Sequence, residues 1–159
     1  LTLNYTLKEF IDVLNRKVQQ ITKGEKFITL FIATYNYATR ILTYVNAGHN
    51  PSILFGKGQT QMLEKGSTIL GMFDKLPQIN FGEVQVEPGS ILVNYTDGLS
   101  EATNNDGKLF EEEGLIQFIH KNHTLSLADF NTKLIDQVIA FKQDTDFDDD
   151  ITLLTLRFK

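Results

Sequence analysis

Two acidic residues, Asp97 and Asp149, carry the chemistry this sequence offers. The stretch Ile91-Leu92-Val93-Asn94-Tyr95-Thr96-Asp97-Gly98 reads as a buried apolar strand ending in a carboxylate and a glycine. Gly98, with no Cβ, lets the backbone turn sharply just after that carboxylate. Phe147-Asp148-Asp149-Asp150-Ile151-Thr152 places a second acidic cluster just before another apolar strand. Hard divalent ions such as Mg²⁺ and Mn²⁺ take oxygen ligands, and Mg²⁺ is commonly held by one or two carboxylates and several waters. Asp97 and Asp149 are therefore expected to converge on divalent metal. A two-metal site of this kind lowers the pKa of bound water and clamps a phosphoryl group. The plainer alternative is that Asp97-Gly98 is only a turn and the acidic cluster a solvated loop, since Asp and Gly are ordinary turn residues.

Other candidates are weaker. Asp144, Asp146 and Asp148 have the spacing that opens an EF-hand loop, but Asp149 stands where glycine is required and Thr155 where the closing Glu is required. His120 and His123 share a helix face at i, i+3 with no third ligand at a recognised spacing, which reads as a solvated helix end. His49, after Gly48, is either a turn histidine bonding backbone or a residue pointing into a cleft. No G-x-S-x-G elbow, Walker loop or G-x-G-x-x-G occurs.

The elements that must position these residues fit one domain. The chain has 159 residues, 42% hydrophobic and 22% charged, which excludes a disordered chain. It has no cysteine, so disulfides, thiolate metal sites and a cysteine nucleophile are excluded. The net charge of −5 and the lack of a Lys/Arg block make nucleic acid and anionic membrane poor partners. No apolar run reaches the roughly 18 residues a membrane span needs. A cytoplasmic location fits.

Thr6-Leu7-Lys8-Glu9 is a capping box, with Tyr5 and Phe10 placed as a hydrophobic staple. The spacing of Leu7, Phe10, Ile11, Leu14, Val18 and Ile21 predicts a helix over 7–21 that ends near Gly24. Strands are predicted over 27–35 and 41–46, joined by a five-residue turn, then over 52–55 and 60–63, as an antiparallel meander. Residues 64–77 read as a long loop, with room for one helical turn. A strand over 79–86 is expected to form a second hairpin with the strand that leads to Asp97. Asn104–Gly107 is a loop. Helices begin at Glu111, where acidic residues suit the macrodipole, and after the N-cap Ser126, and a strand over 151–158 closes the chain. The order predicts an α+β fold with an antiparallel sheet, or two stacked sheets, covered by helices.

Five motifs in this order resemble a known family: Lys26-Phe27-Ile28-Thr29-Leu30, Tyr44-Val45-Asn46-Ala47-Gly48-His49-Asn50-Pro51, Leu70-Gly71-Met72, Tyr95-Thr96-Asp97-Gly98-Leu99-Ser100-Glu101-Ala102, and Asp149-Asp150-Ile151-Thr152-Leu153-Leu154. Together they resemble the SpoIIE/RsbU branch of the PPM (type 2C) metal-dependent serine/threonine phosphatases, over nearly the whole chain. The resemblance implies an α-β-β-α sandwich with two Mn²⁺ or Mg²⁺ ions. It also implies hydrolysis of phosphoserine or phosphothreonine by a metal-activated water, without a phosphoenzyme. Asp97 matches the metal-binding Asp of the Thr-Asp-Gly motif and Asp149 the metal-binding Asp before the last strand, both catalytic. Gly98 is implied as a backbone contributor to the metal site and Asp150 as a neighbouring or turn residue. The substrates implied are phosphorylated anti-sigma-antagonist-like proteins, with an upstream sensor or receiver domain as regulator.

The sequence also departs from that pattern. The family's N-terminal strand pair, with an Asp and an Asp-x-x-Gly-His-Gly motif, is not in this chain, which begins at Leu1. The expectation is a phosphatase domain over 1–159, truncated at its N-terminus and with little activity alone. The removal of a strand pair is expected to bare sheet edge and apolar surface on which a homodimer can form. The rival reading is a non-catalytic phosphatase-fold module that binds a regulatory partner.

Overall fold

A computed structural model describes residues 6–159 of the chain. Thr6 caps α1 (Leu7–Thr22) as expected: its hydroxyl accepts the Glu9 N–H at 3.3 Å while the Glu9 carboxylate accepts the Thr6 N–H at 2.8 Å. The helix ends at Lys23 in the left-handed conformation, one residue before Gly24. The staple to Tyr5 lies outside the described residues.

The chain divides into two compact units. The first comprises the residues up to Pro51 together with Leu63–Val86. Here β1 (Leu30–Asn36) and β2 (Ile41–Ala47) form the expected hairpin. The Asn36 carboxamide closes its turn by accepting the N–H groups of Ala38 and Thr39. The other edge of β2 is shared by β5 (Gly66–Ser67), parallel, and β6 (Gly82–Gln85), antiparallel. The core of this unit joins Ile11 and Val18 of α1 to Val45, Ala47, Leu70 and Leu76.

The second unit comprises Ser52–Met62 and Glu87–Lys159. Its sheet has the order β4-β3-β7-β8, from β3 (Ser52–Gly56), β4 (Gln59–Leu63), β7 (Ile91–Tyr95) and β8 (Leu153–Arg157). Lys57 and Gly58, both at positive φ, make the tight β3–β4 turn. After β7 come α2 (Asp97–Ser100), α3 (Glu111–Asn122) and α4 (Leu127–Lys142). Ser126 caps α4, accepting the Asp129 N–H at 3.1 Å. Ile53, Phe55, Ile91, Val93 and Tyr95 from the sheet pack with Leu115, Phe118, Ile119, Phe130, Leu134 and Val138 from the helices. Phe118 and Phe130 meet edge-on, with centroids 5.0 Å apart.

Several expectations are corrected. The meander does not form: β2 pairs in one sheet and β3 in the other. The break at Ala47–Pro51 ends the first ladder, with Gly48 at φ 69° and the Asn46 carboxamide bonding both N–H and C=O of His49. The second hairpin fails for the same reason, since β6 pairs with β2 and β7 with β3 and β8. Residues 64–77 hold a two-residue strand and no helical turn. The short helix α2 was not expected, and the strands predicted over 27–35, 79–86 and 151–158 are shorter than their apolar runs.

Candidate metal centre

The site is built where β7 and β8 end side by side. Their antiparallel register closes at Tyr95 opposite Leu153, and the pairing then continues beyond both strands. The Thr96 N–H donates to Thr152 O at 3.1 Å. The Thr96 hydroxyl accepts the Thr152 N–H at 2.8 Å and donates to Asp150 O at 3.0 Å. Thr96 thus straps the start of α2 to the segment that carries Asp149, over more than fifty residues of sequence.

Gly98 lies inside this strap. A Cβ built on it would come within 2.7 Å of Asp150 O and 2.8 Å of Asp149 O, shorter than real Cβ contacts. Its backbone has no positive φ. Glycine is needed here for close approach of two backbones rather than for the sharp turn expected from sequence. The chain after Asp97 coils into α2, whose Leu99 is fully buried in the core of the second unit while Asp97 stays exposed.

Each candidate carboxylate keeps one oxygen on local backbone. Asp97 Oδ1 accepts the Gly98 N–H at 3.0 Å, and Asp149 Oδ1 accepts the Asp150 N–H at 2.7 Å. These bonds orient the carboxylates and leave each Oδ2 for a ligand. None of Asp97, Asp148, Asp149 and Asp150 is ion-paired among the described residues, so the end of the sheet presents uncompensated negative charge. Exposed carboxylate oxygens on a rigid backbone suit hard divalent cations. Among the described residues no group of three or more His, Asp or Glu side chains is arranged to hold a metal ion. The EF-hand-like spacing of Asp144, Asp146 and Asp148 thus forms no such group among the described residues.

His49 is a turn residue bonded through its backbone to Asn46, with its ring 3.2 Å from the Thr29 hydroxyl. His120 and His123 pack on Phe55, with centroids 5.1 and 4.7 Å away. They form an aromatic contact at the helix end, which is more than the solvated end expected. Sequence reasoning missed Thr96. The signal was a Thr–Asp–Gly run at a strand end, with a second threonine, Thr152, equally close to the partner strand.

With this geometry in place, the family model described as Stage II sporulation protein E (SpoIIE) matches residues 1–159. The chain belongs to the SpoIIE family. It is 32% identical over 148 residues to the phosphoserine phosphatase RsbU of Bacillus subtilis (strain 168), covering 92% of this chain and 43% of that protein. The SpoIIE-family chain thus spans less than half the length of this relative. Among solved structures it is similar to the SiaA-PP2C domain of Pseudomonas aeruginosa, with TM-score 0.79 and 18% identity over 91% of this chain and 58% of that one. It is also similar to the manganese-presoaked phosphatase domain of SpoIIE from Bacillus subtilis, with TM-score 0.69 and 18% identity over 99% of this chain and 69% of that one. The fold is that of PP2C phosphatase domains, mixed α/β with antiparallel sheets and helices, and the expected fold class is borne out. Among the described residues no helix is long and apolar enough to cross a membrane.

Proposed function

We propose that this chain is the metal-carboxylate half of a serine/threonine protein phosphatase of the SpoIIE/RsbU type. Asp97 and Asp149 are the metal ligands, with Gly98 contributing backbone beside them. The observation that carries this reading is the Thr96 strap, which brings two carboxylates from distant segments to one end of a sheet. When bound, Mn²⁺ or Mg²⁺ supplies Lewis acidity toward a phosphoryl oxygen and an acidified water. Among the described residues no third acidic or histidine side chain is grouped with them to hold a metal ion. The residues of this chain orient the carboxylates, through the Gly98 and Asp150 N–H groups, and keep them rigid.

The substrate class is a phosphoserine or phosphothreonine on a regulatory protein of the anti-sigma-antagonist type. Similarity to a phosphoserine phosphatase supports the reaction. A solved protein that joins RsbU and RsbW domains, 22% identical with TM-score 0.71, supports the regulatory setting. An upstream sensor or receiver domain is the proposed switch, and the cytoplasm the proposed location. Self-association of the chain through an open sheet edge belongs to the same proposal.

The test has two arms. Calorimetric titration of Mn²⁺ into the 159-residue chain is expected to give weak binding that is lost in Asp97→Asn and in Asp149→Asn. In a longer protein that includes the upstream region, manganese-dependent release of phosphate from a phosphoserine peptide is expected to fall at least about 100-fold with either substitution, since even outer-sphere partners of metal ligands are worth 10–100-fold. Unchanged turnover and metal dependence would remove both residues from the site. A longer protein that binds no metal and releases no phosphate would favour the non-catalytic module.

A further inference from the structure

Asp149 stands between two anchors in its own segment. Downstream, Asp150 O accepts the Thr96 hydroxyl at 3.0 Å. Upstream, Phe147 packs against the core of the second unit, and the Lys142 ammonium lies 5.0 Å from the centre of its ring. The same ammonium donates to Thr145 O. Thr145 is half-buried, and its one hydroxyl proton is shared between two carbonyls, Thr103 O at 2.5 Å and Lys142 O at 2.8 Å. Its N–H also donates to Lys142 O, at 3.3 Å. Lys142 and Thr145 thus close the turn that leaves α4. That turn holds Gln143 at φ 58°, a conformation uncommon for residues other than glycine. Residues kept in such regions persist only where their surroundings fix them.

The bond to Thr103 does more than end a helix. A helix C-terminus needs its last carbonyls satisfied, and the Thr145 N–H already serves Lys142 O within the turn. Thr103 lies 42 residues away in sequence, just after α2, the helix that opens with Asp97. Its hydroxyl donates to Glu101 O at 3.0 Å, and the Glu101 N–H donates to Asp97 O at 2.8 Å. An unbroken path of contacts therefore runs from Asp97 through Glu101, Thr103, Thr145 and Lys142 to Phe147, two residues before Asp149. It joins the two acidic segments a second time, through residues that the Thr96 strap does not touch. We propose that the Thr145 hydroxyl, backed by the Lys142 ammonium, is a positioning group that sets Asp149 relative to Asp97. Both residues act through the segment that carries Asp149 and not on a metal ion or substrate. The inference rests on the reading of Asp97 and Asp149 as metal ligands.

Thr145→Val keeps the shape and removes the hydroxyl, while Thr145→Ser keeps the hydroxyl. In calorimetric titration of Mn²⁺ into the 159-residue chain, Thr145→Val is expected to weaken binding about 10-fold, the lower end of what partners of metal ligands are worth. Thr145→Ser is expected to restore it. Amide exchange in the metal-free chain is the second readout, expected to quicken at Asp150 and Thr152 in Thr145→Val and to stay unaltered in β3 and α3. Lys142→Met leaves the Thr145 hydroxyl in place and is expected to act in the same direction, which decides the matter if Thr145→Val does not fold. Unchanged Mn²⁺ affinity in both variants, even with faster exchange, overturns the proposal and makes the turn a helix stop alone. A Thr145→Ser chain that binds as weakly as Thr145→Val overturns it too, since the hydroxyl would then not be the group that matters. A parent chain that takes up no Mn²⁺ removes the metal site and this inference with it, whereas a parent and variants that bind equally well defeat this inference alone.

Discussion

Thr96 and Thr152 hold each other twice, once through backbone N–H to carbonyl at 3.1 Å and once through the Thr96 hydroxyl at 2.8 Å. The same hydroxyl donates to Asp150 O, so one oxygen fixes the start of α2 against the approach to β8. Thr96→Val keeps the shape and removes both hydroxyl bonds. At about 1 kcal/mol for each net hydrogen bond, the loss of stability is expected to be about 1–2 kcal/mol by urea denaturation. Weaker Mn²⁺ binding should accompany it, because Asp97 and Asp149 lose their common anchor. Unchanged metal affinity would show that the strap does not align the carboxylates.

Gly98→Ala places a methyl group where Asp149 and Asp150 present backbone carbonyls. Backbone yields less readily than a flexible side chain, and overpacking of this kind typically costs about 1–3 kcal/mol. Amide exchange is expected to rise at Thr96, Gly98 and Thr152 together, because the two segments must separate. A substitution that leaves both exchange and stability unaltered would contradict the close approach.

The ends of the helices were legible in the residues. Caps at Thr6 and Ser126 and the apolar spacing of α4 are local signals, and the structure returns α4 over Leu127–Lys142. The distribution of strands between sheets was not legible. A meander and a change of sheet share the same local pattern at Ala47–Pro51, and partners far along the chain decide between them. The role of Gly98 was misread because a glycine after a strand signals a turn, while its crowding against Asp149 and Asp150 is visible only in three dimensions. The Thr96 strap was hidden for the same reason, since its three bonds span residues 96 to 152.

Asn15 is buried on α1, where its carboxamide donates to Phe73 O at 2.9 Å and accepts the Gly71 N–H at 2.8 Å. Gly71, at φ 91°, leaves no room for a Cβ against Val18. Asn15 thus bonds the loop that carries exposed Met72 and Phe73 to the helix, in addition to the packing of Leu70 and Leu76 in the core with Ile11 and Val18. Asn15→Ala leaves two backbone groups without their partner, and each such group costs about 1–3 kcal/mol when it stays buried. Thermal denaturation should show that loss, and limited proteolysis should cut first between Gly71 and Lys75. Cleavage at other sites first would mean that the loop is held by something else.

Tyr95 ends β7 with 2% of its surface exposed, and its hydroxyl has no hydrogen-bond partner among the described residues. Burial, and secondarily the negative charge of Glu112, push the phenol well above its ordinary value of 10.0. The sign of the effect on stability follows from which state holds the proton. Below pH 10 both folded and unfolded chains keep it. Above pH 10 the unfolded chain loses it and the folded chain does not, so stability falls as pH rises, by up to about 1.4 kcal/mol per unit. Tyr95→Phe removes the titrating group and an unsatisfied hydroxyl while it keeps the ring in the core. The variant is expected to match or exceed the parent in stability at neutral pH and to lose less of it between pH 10 and 12. Denaturant melts across that range check both parts, and a parallel decline in the two proteins would assign the alkaline loss to other groups.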